Sequence, residues 1–205
     1  MSRADTQVLG HSTTFPVREK GREKDWRKEG AKQTAIVVAA SLFVALCARV
    51  TIPLPFTPVP LTLQNFGVLT VGLLLGSRRG FAALALYLVE GAFGLPVFSP
   101  SILVGVGHLL GPTGGFLMAY PLVAFVTGWI YERKPGKSSH RFGWAALSAV
   151  AGELVLFAGG LSWLAVLTHS VSLAIRYGFY WFVFAEVIKV LMAAAVAARR
   201  KQTSV

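Results

Sequence analysis

Six apolar stretches, at about residues 33–52, 62–77, 80–96, 114–132, 143–167 and 179–198, take up most of this chain. A helix needs about 20 mainly apolar residues to cross the ~30 Å hydrocarbon layer of a bilayer. Inside that layer every backbone N–H and C=O must be satisfied within the fold, which restricts spanning segments to helices or closed barrels. The expected fold is therefore an all-α integral membrane protein, a bundle of six transmembrane helices, with the short second and third stretches extended by their flanks. Composition agrees: 54% of the 205 residues are hydrophobic and only 14% are charged, a balance suited to lipid rather than water.

The formal net charge of +11 would suggest a nucleic-acid partner in a soluble protein, but here the placement of the charge decides. Basic residues cluster before the first stretch (Arg3, Arg18, Lys20, Arg22, Lys24, Arg27, Lys28, Lys32), after the second (Arg78, Arg79), after the fourth (Arg133, Lys134, Lys137, Arg141) and after the last (Arg199, Arg200, Lys201). With six crossings these 17 of the 20 Lys and Arg residues share one side, leaving only Arg49, Arg176 and Lys189. Cytoplasmic loops carry such an excess, so both termini are expected to be cytoplasmic, in a plasma membrane, with no nucleic acid bound. Residues 1–32 read as a basic cytoplasmic arm, 33–198 as the membrane domain and 199–205 as a basic tail. The arm has no apolar core of the kind a signal peptide needs. Its charge favours anionic lipid, although five acids (Asp5, Glu19, Glu23, Asp25, Glu29) oppose this.

The two long connections on the opposite side differ in kind. RVTIPLPFTPVPLTLQ holds Pro53, Pro55, Pro58 and Pro60, each lacking an amide hydrogen and forcing its predecessor to extended geometry, so no helix runs through it. GLPVFSPSILVGVGHLLGPTGG is rich in Gly and Pro and carries no Lys, Arg, Asp or Glu. Apolar, irregular chain at a membrane surface packs on protein; both are expected to cover a pocket that opens outward, or else to lie among the headgroups.

Within the last stretch, FVFAEVIKVLMAAAVAARRK, stand Glu186 and Lys189, three residues apart and so on one side of a helix. A charge at the centre of a membrane helix costs about 2.5–3.5 kcal/mol on insertion scales and faces the protein interior or a cavity. The pair either ties the bundle together or grips a two-ended ligand, an anion on Lys189 and an N–H donor on Glu186. Glu90 and Glu153 are the other intramembrane acids, and each is open to a pocket role or a structural one. Gln64 and Asn65 directly follow the proline-rich connection, where their amides either face the pocket or cap the loop. Ala35 and Ala39, four apart, permit close approach of another helix. The lone Cys47 and the scattered histidines (His11, His108, His140, His169) form no metal set, and no phosphate loop ending in Gly-Lys-Ser/Thr is present. No cofactor and no metal is expected.

These segments resemble the BioY family, the biotin-binding membrane subunits (S-components) of energy-coupling-factor (ECF) transporters. The resemblance runs over about residues 33–198 and rests on IPLPFTPVPLTLQ with GLLLGSRRG, on YLVEGAFGLPVF, on LLGPTGGFLMAYPLVAFVTGWIYER and on the Glu-x-x-Lys pair. It implies a six-helix S-component fold whose pocket, occluded by the first outer connection, binds biotin. It implies ligand contacts from Lys189, Glu186, Tyr87, Gln64 and Asn65, and a helix-1 face with Ala35 and Ala39 against a transmembrane coupling subunit. Two ATPase subunits then supply the energy, and this chain is no enzyme. Ala185 and Glu186 stand where the family usually has Gly-Asp, so the acceptor is kept but lengthened by one methylene; Phe116 stands where it often has Tyr. Another vitamin such as lipoate or a biotin precursor, a facilitator that works alone, and a membrane enzyme using these carboxylates are the competing readings.

Overall fold

A computed structural model describes residues 19–135 and 140–199. Among these residues it is helical apart from two strands of two residues each. The order is α1 (Glu19–Arg49), β1 (Thr51–Ile52), β2 (Leu61–Thr62), α2 (Gln64–Leu75), α3 (Ser77–Ala92), α4 (Val106–Leu110), α5 (Gly114–Glu132), α6 (Arg141–Thr168), α7 (Val171–Gly178) and α8 (Val183–Arg199). Each of the six apolar stretches contains a helix. By length and hydropathy, residues 27–49 of α1, all of α5 and all of α6 are each able to cross a membrane, and α7 with α8 forms a further apolar pair bent by 52°. The 12-residue α2 and 16-residue α3 would rise only about 18 and 24 Å at 1.5 Å per residue.

The chain divides within α1 into two units, Met1–Ala35 and Ile36–Val205. In the first, the described residues are helical, with Gln33 donating to Glu29 (2.8 Å) and Thr34 to the Gly30 carbonyl (3.1 Å). The expectations for residues 1–18, for Lys137 and for residues 200–205 lie outside the described residues.

The second unit is a helical bundle built around α2 and α5. α5 packs along α3 and α6, and α2 touches α3, α5, α6 and α8. Small residues set these approaches: a Cβ on Gly72 would lie 2.7 Å from the Ala124 carbonyl oxygen, and one on Gly128 would lie 2.5 Å from the Ser77 nitrogen. At the α2–α3 turn Gly76 takes φ +82°, and Glu132 from the end of α5 accepts from both the backbone N–H and the hydroxyl of Ser77, each at 2.8 Å. That carboxylate caps α3 in place of a local side chain. Large apolar residues such as Leu46, Leu154, Phe184 and Ile188 are exposed, while Gln64, Asn65, Glu153, Glu186 and Lys189 are buried. An apolar outside around polar groups inside suits lipid as solvent.

The proline-rich connection is not wholly irregular. β1 and β2 pair antiparallel, Thr51 opposite Thr62 and Ile52 opposite Leu61, and close a loop over residues 53–60 that leans on the far end of the bundle. Thr57 donates to the Tyr177 carbonyl at 2.7 Å, Phe56 meets Trp181 at 4.3 Å between ring centroids, and Val59 packs with Leu164, Ala174 and Phe182. The second connection is held from below: Phe98 stacks edge-on against Tyr87 at 5.3 Å and meets the His108 ring, tilted, at 5.1 Å. A Cβ on Gly91 would collide with that Phe98 ring.

Candidate functional site

Two helix starts bring the polar residues together. α2 begins at Gln64, right after the hairpin, so Gln64 and Asn65 occupy its first turn. The sixth apolar stretch predicts a helix from about residue 179; instead α7 ends at Gly178, a turn follows, and α8 starts at Val183 with Glu186 in its first turn. The break moves Glu186 from a helix interior to the first turn of a helix, where a carboxylate is favoured by the macrodipole.

Lys189 Nζ donates to Glu186 Oε1 at 2.7 Å, with the residues 6% and 7% exposed. The other Glu186 oxygen, Oε2, accepts from Asn65 Nδ2 at 2.7 Å, and the same Nδ2 donates to Glu153 Oε1 of α6 at 2.5 Å. Three helices thus meet at one amide, with two carboxyl groups and one ammonium around it. Buried charge persists only when paired and hydrogen-bonded, and Lys189–Glu186 is the one salt bridge among the described residues.

This network forms one wall of a cavity of about 50 Å³. Gln64, Asn65, Glu186 and Lys189 face Phe116, Leu117 and Tyr120 of α5, Leu156 and Phe157 of α6 and Phe182 of the α7–α8 turn, and Val59, Pro60 and Thr62 of the hairpin also line it. A water needs ~10–15 Å³ by a comparable measure, so the space is narrow. A second cavity, about 280 Å³, lies between the two long connections and shares Pro60, Ser99 and Thr113 with the first. His108 lines it; burial holds its imidazole below the ordinary pKa against the opposing Leu103 carbonyl contact at 3.2 Å.

Of the residues singled out in the sequence, Lys189, Glu186, Gln64 and Asn65 line the first cavity. Tyr87 stands behind them: fully buried, it accepts from Gln64 Nε2 at 2.7 Å and donates to the Val97 carbonyl at 2.8 Å. It fixes Gln64 to the second connection and is not part of the wall. Glu90 accepts from Ser41 of α1, away from the cavity. Ala35 lies in the first unit and Ala39 in the second, both exposed. Glu153, open in the sequence to a pocket role or a structural one, joins the network through Asn65 without lining the cavity. Its signal was the cost of an isolated acid in an apolar helix, which requires a donor somewhere. Among the described residues, no group of three or more His, Cys, Asp or Glu gathers in a way that would hold a metal ion.

The BioY family model matches residues 18–204. The chain is 39% identical over 170 residues to the biotin transporter BioY of Thermotoga maritima, covering 82% of this chain and 97% of that one. It is 35% identical over 170 residues to the probable biotin transporter BioY of Pyrococcus horikoshii, covering 82% and 96%. The crystal structure of the S-component for biotin from an ECF-type ABC transporter superposes with a TM-score of 0.75 at 24% identity, over 84% of this chain and 92% of that one; at that identity the likeness speaks for the fold.

Proposed function

The chain belongs to the BioY family, and from that premise we propose that it is the biotin-binding membrane subunit of an ECF transporter. The observation that carries the reading is the buried Lys189–Glu186–Asn65 wall of the cavity. Biotin has a carboxylate at one end and a ureido ring with two N–H donors at the other. One end of the ligand meets this compact wall: Glu186 and the free Asn65 oxygen accept from the ureido N–H groups, and Lys189, 2.7 Å from Glu186, donates to the ureido carbonyl oxygen, in a pocket dry enough to strengthen these contacts. Gln64, steadied by Tyr87, completes the polar side, while Phe116, Tyr120 and Phe182 give the apolar thiophane and chain their surface.

In this reading the six helices of the apolar stretches all cross the membrane, α7 and α8 making the last crossing between them, with both termini cytoplasmic as the basic clusters require. The cavity then opens outward beneath the hairpin, and the hairpin must lift for the ligand to pass. The exposed small-residue face of α1, with Ala35 and Ala39, docks on a transmembrane coupling subunit, and two ATPase subunits drive release to the inside. Residues 33–198 bind the vitamin, flanked by the arm and the tail. The chain itself performs no chemistry.

Equilibrium binding of labelled biotin to the purified protein in detergent tests this. Saturable binding that Lys189→Ala abolishes is the expected result; unchanged binding by that variant would sink the site assignment. Glu186, one methylene longer than the aspartate usual at this place, is the specific observation favouring a related vitamin. Competition by lipoate and by biotin precursors against the labelled ligand separates the two readings, and recovery of the ligand chemically unaltered excludes an enzyme.

A further inference from the structure

We propose that Glu153 is a positioning residue that makes Asn65 an acceptor-only contact for the ligand, and so sets selection for a ligand N–H. The inference rests on the biotin reading above and deepens it.

An asparagine side chain carries two N–H donors on Nδ2 and one acceptor oxygen. In this site Nδ2 lies 2.5 Å from Glu153 Oε1 and 2.7 Å from Glu186 Oε2, so both hydrogens are used. The sense of the amide is fixed by chemistry as well as by placement: with nitrogen and oxygen exchanged, Oδ1 would face the Glu186 carboxylate, itself paired with Lys189, at 2.7 Å with no proton between them. What remains of Asn65 is Oδ1. It is buried and no described group donates to it, yet Asn65 lines the cavity. A buried acceptor without a donor is costly, and a ligand N–H that supplies one removes that cost.

Glu186 alone occupies only one of the two hydrogens. The second is taken by Glu153, which comes from a different helix and does not itself line the cavity. Without Glu153 one Nδ2 hydrogen loses its acceptor, and a tilt of the amide that keeps the Glu186 bond can bring that hydrogen to the ligand. The site would then tolerate an acceptor where it now demands a donor. A site built to hydrogen-bond a particular group rejects ligands lacking it far more strongly than an apolar pocket rejects a change of size, so this one carboxyl bears on specificity although it touches no ligand.

The test uses the full chain in detergent and three ligands: biotin and the two cyclic carbamates in which one or the other ureido N–H is replaced by ring oxygen. The exchange turns a donor into an acceptor at nearly constant shape. Dissociation constants are measured for wild type, Glu153→Gln and Glu153→Met. Wild type is expected to prefer biotin over at least one carbamate by about a hundredfold or more. Glu153→Met, of similar length but without an acceptor, should shrink that preference roughly tenfold, the scale of one hydrogen bond. Glu153→Gln, whose amide oxygen still accepts from Asn65, should keep the preference within about threefold on the same reasoning. A merely structural role would weaken all three ligands alike and leave the ratio where it was. An unchanged ratio in Glu153→Met therefore overturns this inference alone, whereas a folded wild type that does not bind biotin overturns the functional reading beneath it. Should Glu153→Met fail to fold, the side-chain amide of Asn65 in 15N-labelled wild type decides: both protons protected from exchange support the arrangement, and exchange at the solvent rate overturns it.

Discussion

Replacing Glu186 and Lys189 together separates a pair that grips a ligand from a pair that ties helices. The charges are 2.7 Å apart and each residue is more than nine-tenths buried. Lys189→Met leaves the Glu186 carboxylate with a single donor, Asn65, and breaking one half of a buried pair costs about 3–5 kcal/mol; the surviving bond at 2.7 Å puts this case near the lower figure. In the double variant Glu186→Gln/Lys189→Met neither charge remains, and the introduced amide oxygen can still accept from Asn65. Replacing a buried pair by apolar groups is neutral or stabilising by about 1–4 kcal/mol, and the unpaired Gln N–H group takes back about 1–3 kcal/mol, so the double variant should melt near the wild-type temperature and above Lys189→Met. Binding should move the other way. Each charged hydrogen bond to the ligand is worth about 1.5–3 kcal/mol, so losing two weakens biotin by roughly a hundredfold to ten-thousandfold at 1.4 kcal/mol per decade. Thermal unfolding followed by tryptophan fluorescence in detergent, paired with labelled-biotin titration, reads both quantities. A double variant that binds like wild type would refute the gripping role; one that melts no higher than Lys189→Met would show that the bundle itself depends on the charges.

Three further substitutions probe the frame around the site. Thr57→Val removes the bond from the hairpin tip to the Tyr177 carbonyl, worth about 1 kcal/mol, and should speed ligand dissociation roughly fivefold in stopped-flow traces; an unchanged rate would mean that the hairpin does not cover the bound ligand. Glu132→Ala strips both contacts from Ser77 and should cost about 0.5–2 kcal/mol, as for a lost helix cap. Its effect is expected in the melting temperature and not in biotin affinity. Gly128→Ala would drive a Cβ to 2.5 Å from the Ser77 nitrogen and 2.6 Å from the Gly76 carbonyl carbon. Backbone cannot swing aside as a flexible side chain can, so a loss of at least about 1–3 kcal/mol is expected; a wild-type melting curve would refute the close packing of α5 on the α2–α3 turn.

The helices were legible where hydropathy and length agree. The stretch 114–132 coincides with α5, and 143–167 differs from α6 by two residues at one end and one at the other. α1 begins at Glu19 rather than near residue 33 because its charged forerunner, despite Gly21 and Gly30, is rich in the good helix formers Glu, Lys and Arg, which an apolar count ignores. The break before Val183 left only a slight trace, Gly178 at the end of α7; residues 179–182 are Phe-Tyr-Trp-Phe, with neither Gly nor Pro among them. Tertiary contacts made by this turn, Phe182 with Val59 and Trp181 with Phe56, override local preference there. The Glu186–Lys189 pair was readable because three residues of helix bring its members together. Asn65 and Glu153 are 88 residues apart in the chain, and no local periodicity links them.

The inventory of buried groups narrows what the cavity accepts. Glu90 accepts from the Ser41 hydroxyl and Glu153 Oε1 from the Asn65 amide, both neutral donors, while Glu153 Oε2 has no donor among the described residues; Glu186 has an ammonium. Lys189 is therefore the one cation at the cavity wall, and it is already engaged. An anionic ligand must share it with Glu186, and two carboxylates around one ammonium repel. A plain carboxylic acid would meet that repulsion with nothing in return. A ligand whose N–H donors stand beside a neutral acceptor, as in a ureido ring, would satisfy Glu186 and the orphaned Asn65 oxygen as it draws on Lys189. If the proposed function holds, the acid beside the lysine is expected to act as a filter as well as a contact, rejecting anions that lack a donor end.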